Sequence, residues 1–248
     1  MKLTPATNYE NTFCKFLLYG DSGAGKTHAA ASAGSKKMKV AILETEPNGL
    51  LSIRTSNPDA LVVEAKDVKT IGEFISSALN GSMQKEYGVE VVVFDSLTEI
   101  QRILKDSIVG KGRMSLQHWG ILTDKMRSMM RSIREIPMHV VCTALSSVNS
   151  TDDGERFVVP AFEGKKLANE IAQYFNAVGY VYKRQDPNNK SIVHSVMLTG
   201  PHTYMCKGVA PLQAIEDTNI NGWIKRCLQH RGHVEKPKIA DDPKRRRR

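Results

Sequence analysis

The stretch Leu17–Ala30, LLYGDSGAGKTHAA, constrains this chain more than any other. An apolar run breaks into a glycine-rich turn, and the turn opens into residues that favour helix. Gly20, Asp21, Ser22, Gly23, Ala24, Gly25, Lys26 and Thr27 fit the spacing G-x-x-x-x-G-K-[ST]. The glycines let the backbone curl until its N–H groups point at phosphate oxygens. The helix that follows brings the positive end of its dipole to the same place. Lys26 would reach the β- and γ-phosphates, Thr27 would hold Mg²⁺ through its hydroxyl, and His28 closes the same turn. With a strand before it and a helix after it, the motif commits the chain to a strand–loop–helix unit that binds nucleotide.

Such a site needs carboxylates. The run Val91–Ser96, VVVFDS, reads as a buried strand that delivers Asp95 to its carboxyl edge, where the side chain meets Mg²⁺ directly or through water. The alternative is an Asp that caps the next helix. In Ile42–Pro47, ILETEP, Glu44 and Glu46 compete as the group that polarises the water attacking the γ-phosphate. Glu46 is favoured, with Glu44 close behind it, and the alternative is that one or both are surface loop acids.

Around these motifs, strands and helices alternate. Strands are expected at Phe13–Tyr19, Lys39–Leu43, Ala60–Glu64, Val89–Phe94 and Met138–Leu145. Helices are expected at Lys26–Ser35, Thr70–Leu79 with Thr70 as cap, Leu116–Ile136 and Lys165–Phe175. Ala177–Lys183, Ile192–Thr199 and His202–Cys206 then read as consecutive strands. The fold class is therefore α/β, an αβα sandwich with a mostly parallel central sheet and antiparallel edge strands. Residues 1–230 read as one domain and 231–248 as a loose basic tail.

The chain has 248 residues, and Lys244–Arg248 supply five of its nine net positive charges. The body is thus only mildly basic, and the tail is a short cationic segment able to attract phosphates without reading sequence. No apolar run approaches the roughly 18 residues of a spanning helix, and the first dozen residues lack an apolar core. Cys14, Cys142, Cys206 and Cys227 are scattered without metal-ligand spacing. Cys14 and Cys142 lie in strand-like runs that suit buried free thiols in a reducing cytoplasm. Met114, Met126, Met129 and Met130 stand at helical spacing and read as core.

The phosphate loop, the ETE segment and the VVVFDS strand occur in the order seen in RecA-like ATPases. The sequence more closely resembles phage-encoded, single-domain RecA-like proteins, known as phage nucleotide-binding proteins or single-strand-annealing recombinases. The stretches PAFEGKKLANEIAQYFNAVGYVYK (Pro160–Lys183) and TYMCKGVAPL (Thr203–Leu212) carry that likeness, which spans about Phe13 to Trp223. The resemblance implies an ATPase using ATP and Mg²⁺ in a bacterial host's cytoplasm. It also implies a homo-oligomer, ring or filament, acting with single-stranded DNA, and a single-strand DNA-binding protein is a further candidate partner. A nucleotide-dependent switch with little turnover and a small-molecule phosphotransferase are the alternatives.

The resemblance also assigns outer roles. Ser146 and Ser147 end the strand where larger relatives carry a sensing glutamine. Residues 148–163 correspond to a mobile DNA-binding loop, with Arg156 its only base and a plain β-hairpin as the alternative. Lys165, Lys166 and Lys207 are candidates to reach a neighbouring subunit's γ-phosphate. Lys105, Lys111 and Arg113, in a glycine-bearing stretch between two helices, are the better basic candidates for DNA, with His118 and Trp119 nearby to stack on bases.

Overall fold

The computed structural model describes residues 13–46, 49–110, 112–150 and 153–232. Its strands are β1 (Lys15–Gly20), β2 (Lys39–Glu44), β3 (Leu61–Glu64), β4 (Val89–Asp95), β5 (His139–Ser150), β6 (Arg156–Pro160), β7 (Ala177–Gln185), β8 (Ile192–Met197) and β9 (Ile215–Glu216). Its α-helices are α1 (Lys26–Ala31), α2 (Gly49–Ser56), α3 (Val68–Leu79), α4 (Ser82–Tyr87), α5 (Leu97–Val109), α6 (Leu116–Glu135), α7 (Lys165–Glu170) and α8 (Ile220–Gly232).

All nine strands join one sheet in the order β3-β2-β4-β5-β1-β7-β8-β9, with β6 attached to β5. From β3 across to β7 the neighbours are parallel, and β8 and β9 add antiparallel strands at one edge. This is the architecture expected from the alternation. The chain leaves β1 toward one side of the sheet and later lays β7 on its other side. The carboxyl end of β1 is therefore a switch point, where open α/β sheets bind ligands.

Both faces of the sheet are covered, which is why β1 and β4 read as continuous apolar runs. The pleat sends alternate residues to opposite faces. Leu17 and Tyr19 join Phe74, Ile100, Met126 and Met130 under α3, α5 and α6. Phe16 and Leu18 join Ala29, Ala30, Ile53 and Trp223 under α1, α2 and α8. Each fully buried side chain of this size contributes on the order of 2 kcal/mol. The methionine stripe is core, as its spacing indicates: Met126 and Met130 are buried, and Met114 and Met129 pack against them.

Several expectations need correction. The cap of α3 is Asp67, whose carboxylate accepts the Thr70 N–H at 2.8 Å, so Thr70 is inside the helix. The helix expected over 165–175 is α7 followed by a 3₁₀ turn at Ile171–Tyr174. His202–Cys206 is not a strand and makes a single bridge, Tyr204 to Val158, because a turn at His202–Thr203 keeps it irregular. Helix α1 stops at Ala31, and α2, α4, α8 and the short β9 lie outside the expected elements. β5 runs five residues past Leu145. Those residues pair antiparallel with β6, so the stretch read as a mobile loop is a β-hairpin.

Candidate active site

The phosphate loop follows β1. Gly23 and Gly25 adopt φ of 72° and 96°, which side chains with a Cβ resist. A Cβ on Gly20 would strike the Val181 carbonyl of β7, so only glycine lets the loop leave the sheet there. Lys26 Nζ donates to the carbonyls of Gly20 at 3.0 Å and Asp21 at 2.9 Å. Burial pulls its ammonium below the ordinary lysine value, against the opposing pull of Asp95, Glu46 and Asp21. Asp21, Ser22, Gly23 and His28 are exposed and Ala24 is buried.

Asp95 ends β4 and is buried. Its carboxylate accepts from the Thr143 hydroxyl. Burial raises its pKa, the nearby hydroxyls of Thr143 and Thr27 oppose that, and Glu46 adds to it. Thr27 and Asp95 thus lie close to one another. One hydroxyl with one carboxylate fits Mg²⁺, which takes its remaining ligands from phosphates and water. Among the described residues no group of three or more His, Cys, Asp or Glu side chains is placed to hold a metal.

The structure separates the two glutamates. Glu44 is buried beside Asp95 in register and accepts the Glu46 N–H at 2.9 Å. A Cβ on Gly49 would collide with its carboxylate, so α2 begins against it. Burial, then Asp95, pushes its pKa up to about 8. Glu46 is exposed, and its carboxylate accepts the Ser96 hydroxyl at 2.8 Å. Its charge acts on Lys26. Glu46 therefore faces the phosphate loop, while Glu44 supports the floor beneath it.

A family model described as an AAA domain matches residues 12–207. The chain belongs to the AAA-domain family. This AAA-domain chain is a P-loop ATPase. No curated protein matches it in sequence. Among solved structures it is similar to a KaiC-like protein from the hyperthermophilic archaeon Pyrococcus horikoshii OT3. The two are 13% identical with a TM-score of 0.42, over 74% of this chain and 77% of the other.

Around the AAA-domain core the outer candidates fare unevenly. Lys105 lies inside α5, not in a loop, and its ammonium is held by Glu163 at 2.8 Å. Lys111 lies outside the described residues, and Arg113 and Arg156 are exposed. His118 and Ser115 cap α6 reciprocally, and Trp119 packs against the core, so neither is a free stacking group. Lys165 and Lys166 open α7. Nothing is described of the Lys165 side chain, and Lys166 is exposed. Lys207 Nζ donates to the carbonyls of Phe175 at 2.6 Å and Ala172 at 3.3 Å, an engagement that closes the 3₁₀ turn. The basic tail lies outside the described residues.

Sequence reading missed four contacts. Thr143 reaches Asp95 because β4 and β5 are neighbours, and the register Phe94↔Cys142 places them one step further on. Ser96 holds Glu46 and caps α5. His194 of β8 lies 2.6 Å from the Ala24 carbonyl, against Gly25. Asp21 accepts the Ser146 hydroxyl. No helix among the described residues is long and apolar enough to cross a membrane.

Proposed function

We propose that this ATPase hydrolyses Mg²⁺-ATP in response to single-stranded DNA and works as a homo-oligomer in recombination, annealing or replication. The supporting observation is the convergence of Lys26, Thr27, Asp95 and Glu46 at one sheet edge, from which the β5–β6 hairpin rises.

Lys26 carries the mobile cation for the β- and γ-phosphates. Thr27 and Asp95 would hold a magnesium ion, which would neutralise charge on those phosphates. Ser96 fixes one oxygen of Glu46, and the second oxygen takes the proton of the attacking water. Ser146, donating to Asp21, links the root of the hairpin to the phosphate loop. That link is the route by which a strand lying on the hairpin would alter turnover. A neighbouring subunit would supply a transition-state cation, with Lys166 the exposed candidate.

The test is the ATPase rate with and without single-stranded DNA, across protein concentration. The reading expects stimulation by DNA and a rate per subunit that rises with concentration. Tight ATP binding with negligible turnover under both conditions would instead support a nucleotide-dependent switch.

A further inference from the structure

Three tyrosines stand together beside the phosphate loop, and none has a role in the reading above. Tyr180 and Tyr182 are two residues apart on β7, so they share a face. Their rings are stacked, 10° from parallel with centroids 6.2 Å apart. Tyr204 adds a third ring, 4.8 Å from Tyr180. All three are partly exposed, whereas Tyr19 beneath them is buried with its hydroxyl on the Val158 carbonyl.

The surroundings are basic. Arg184 follows on the same face of β7, its guanidinium steadied by the Ser195 hydroxyl at 2.8 Å. Between Lys183 and His194 the β7–β8 hairpin carries Lys183, Arg184 and Lys190 against the single acid Asp186. Partly exposed rings in a row, with cations at their open end, match the two parts of a single strand: bases with π-faces and a phosphate chain. Tyr180 lies near enough to Asp21 of the phosphate loop for that carboxylate to act on its hydroxyl, and the backbone of Tyr204 bridges to Val158 of β6. The platform therefore lies beside both the nucleotide site and the hairpin.

We propose that Tyr180, Tyr182 and Tyr204, with Arg184, form a base-stacking platform for single-stranded nucleic acid beside the phosphate loop. The inference rests on the DNA-stimulated reading above and gives it a site. It also moves the contact away from the α5–α6 connection, where Lys105 is already paired.

The experiment compares a labelled oligothymidylate with an abasic oligomer of the same length by fluorescence anisotropy at low salt. Both probes carry the phosphates, and only one carries bases. The parent should bind oligothymidylate more tightly than the abasic probe. Tyr182→Ala should weaken oligothymidylate binding about tenfold, the loss of one stacked base, and leave abasic binding unchanged. Tyr182→Phe should restore it, which excludes a folding defect. Equal binding by Tyr182→Ala and the parent overturns the platform alone, as does an equal loss for both probes. A raised KM for ATP in Tyr182→Ala with unchanged oligomer binding assigns the ring to the nucleotide's own base and also overturns it. A parent that binds neither probe overturns the DNA reading itself.

Discussion

A lysine stands at each end of β1, and the two are bonded alike. Lys15 opens the strand and donates to the carbonyls of Ile136 at 2.5 Å and Met138 at 2.7 Å. Lys26 stands just past its end and donates to the carbonyls of Gly20 and Asp21. Burial lowers the pKa of both. The difference lies in where the carbonyls come from and which charges surround the ammonium. Lys15 reaches carbonyls 121 and 123 residues away, so it fastens the start of β1 to the connection between α6 and β5. Lys26 bonds its own loop five and six residues back, and Asp95, Glu46 and Asp21 act on it. A phosphate can compete for an ammonium held by its own flexible loop. It cannot replace one that closes the base of a sheet. Hydrogen bonds to carbonyls thus do not separate the two lysines, whereas the three carboxylates acting on Lys26, against Glu135 on Lys15, do.

The largest effect expected from this contrast is in Lys26→Ala. Removing the cation proposed to meet the phosphates should lower turnover by about 10²–10³-fold. Its bonds are local, so the thermal midpoint should stay within about 2 °C of the parent. A large fall in midpoint would make Lys26 a structural residue like Lys15 and erase the comparison.

Next come the two glutamates, which repeat the contrast with acids. Glu46→Gln should bind ATP yet turn it over about 10²-fold more slowly, measured as single-turnover hydrolysis. Glu44→Gln should keep most of its turnover and change stability instead. The Glu44 pKa is raised from 4.5 to about 8 in the folded protein. Between those values the native state keeps a proton that the unfolded state has released, so parent stability falls as pH rises through that window. Glutamine has no proton to lose. The variant should therefore gain on the parent from pH 5 to pH 8, by on the order of 2 kcal/mol in denaturant midpoints. If Glu44→Gln loses turnover and Glu46→Gln does not, the assignment of the base reverses.

These contrasts also mark how far the sequence could be read. Lys26, Thr27 and Asp95 were legible because loop spacing and a buried β-branched strand are local patterns. The stripe of α6 was legible for the same reason. Lys105 was misread because Gly110 and Gly112 suggested a flexible connector. The helix in fact runs to Val109, and its partner Glu163 is 58 residues away. The bond to Asp21 from Ser146, and that of His194 to Ala24, depend on strand order and register, which no local window encodes. The hairpin was legible only as one of two alternatives, since a polar, glycine-bearing stretch suits either.

The smallest effect should be at Lys15, and it tests the comparison most finely. A neutral lysine amine still has two N–H groups, enough for the carbonyls of Ile136 and Met138. Burial therefore penalises its charge and not its bonds. Lys15→Met leaves two carbonyls without a donor but also removes a buried cation. These changes oppose each other, so net stability at pH 7 should stay within about 1 kcal/mol of the parent, with turnover unaltered. The pH dependence then separates them. With a folded pKa of about 8 against 10.5, the native parent releases its proton while the unfolded chain retains it, so the unfolded state binds more protons in that window. Parent stability should rise relative to Lys15→Met as pH goes from 8 to 10, read as the difference in denaturant midpoints. Other groups titrate in both proteins and cancel from that difference. A flat difference would mean that the Lys15 ammonium is not disfavoured by its site. A loss of ATPase activity in this variant would mean that the lower end of β1 is not merely structural.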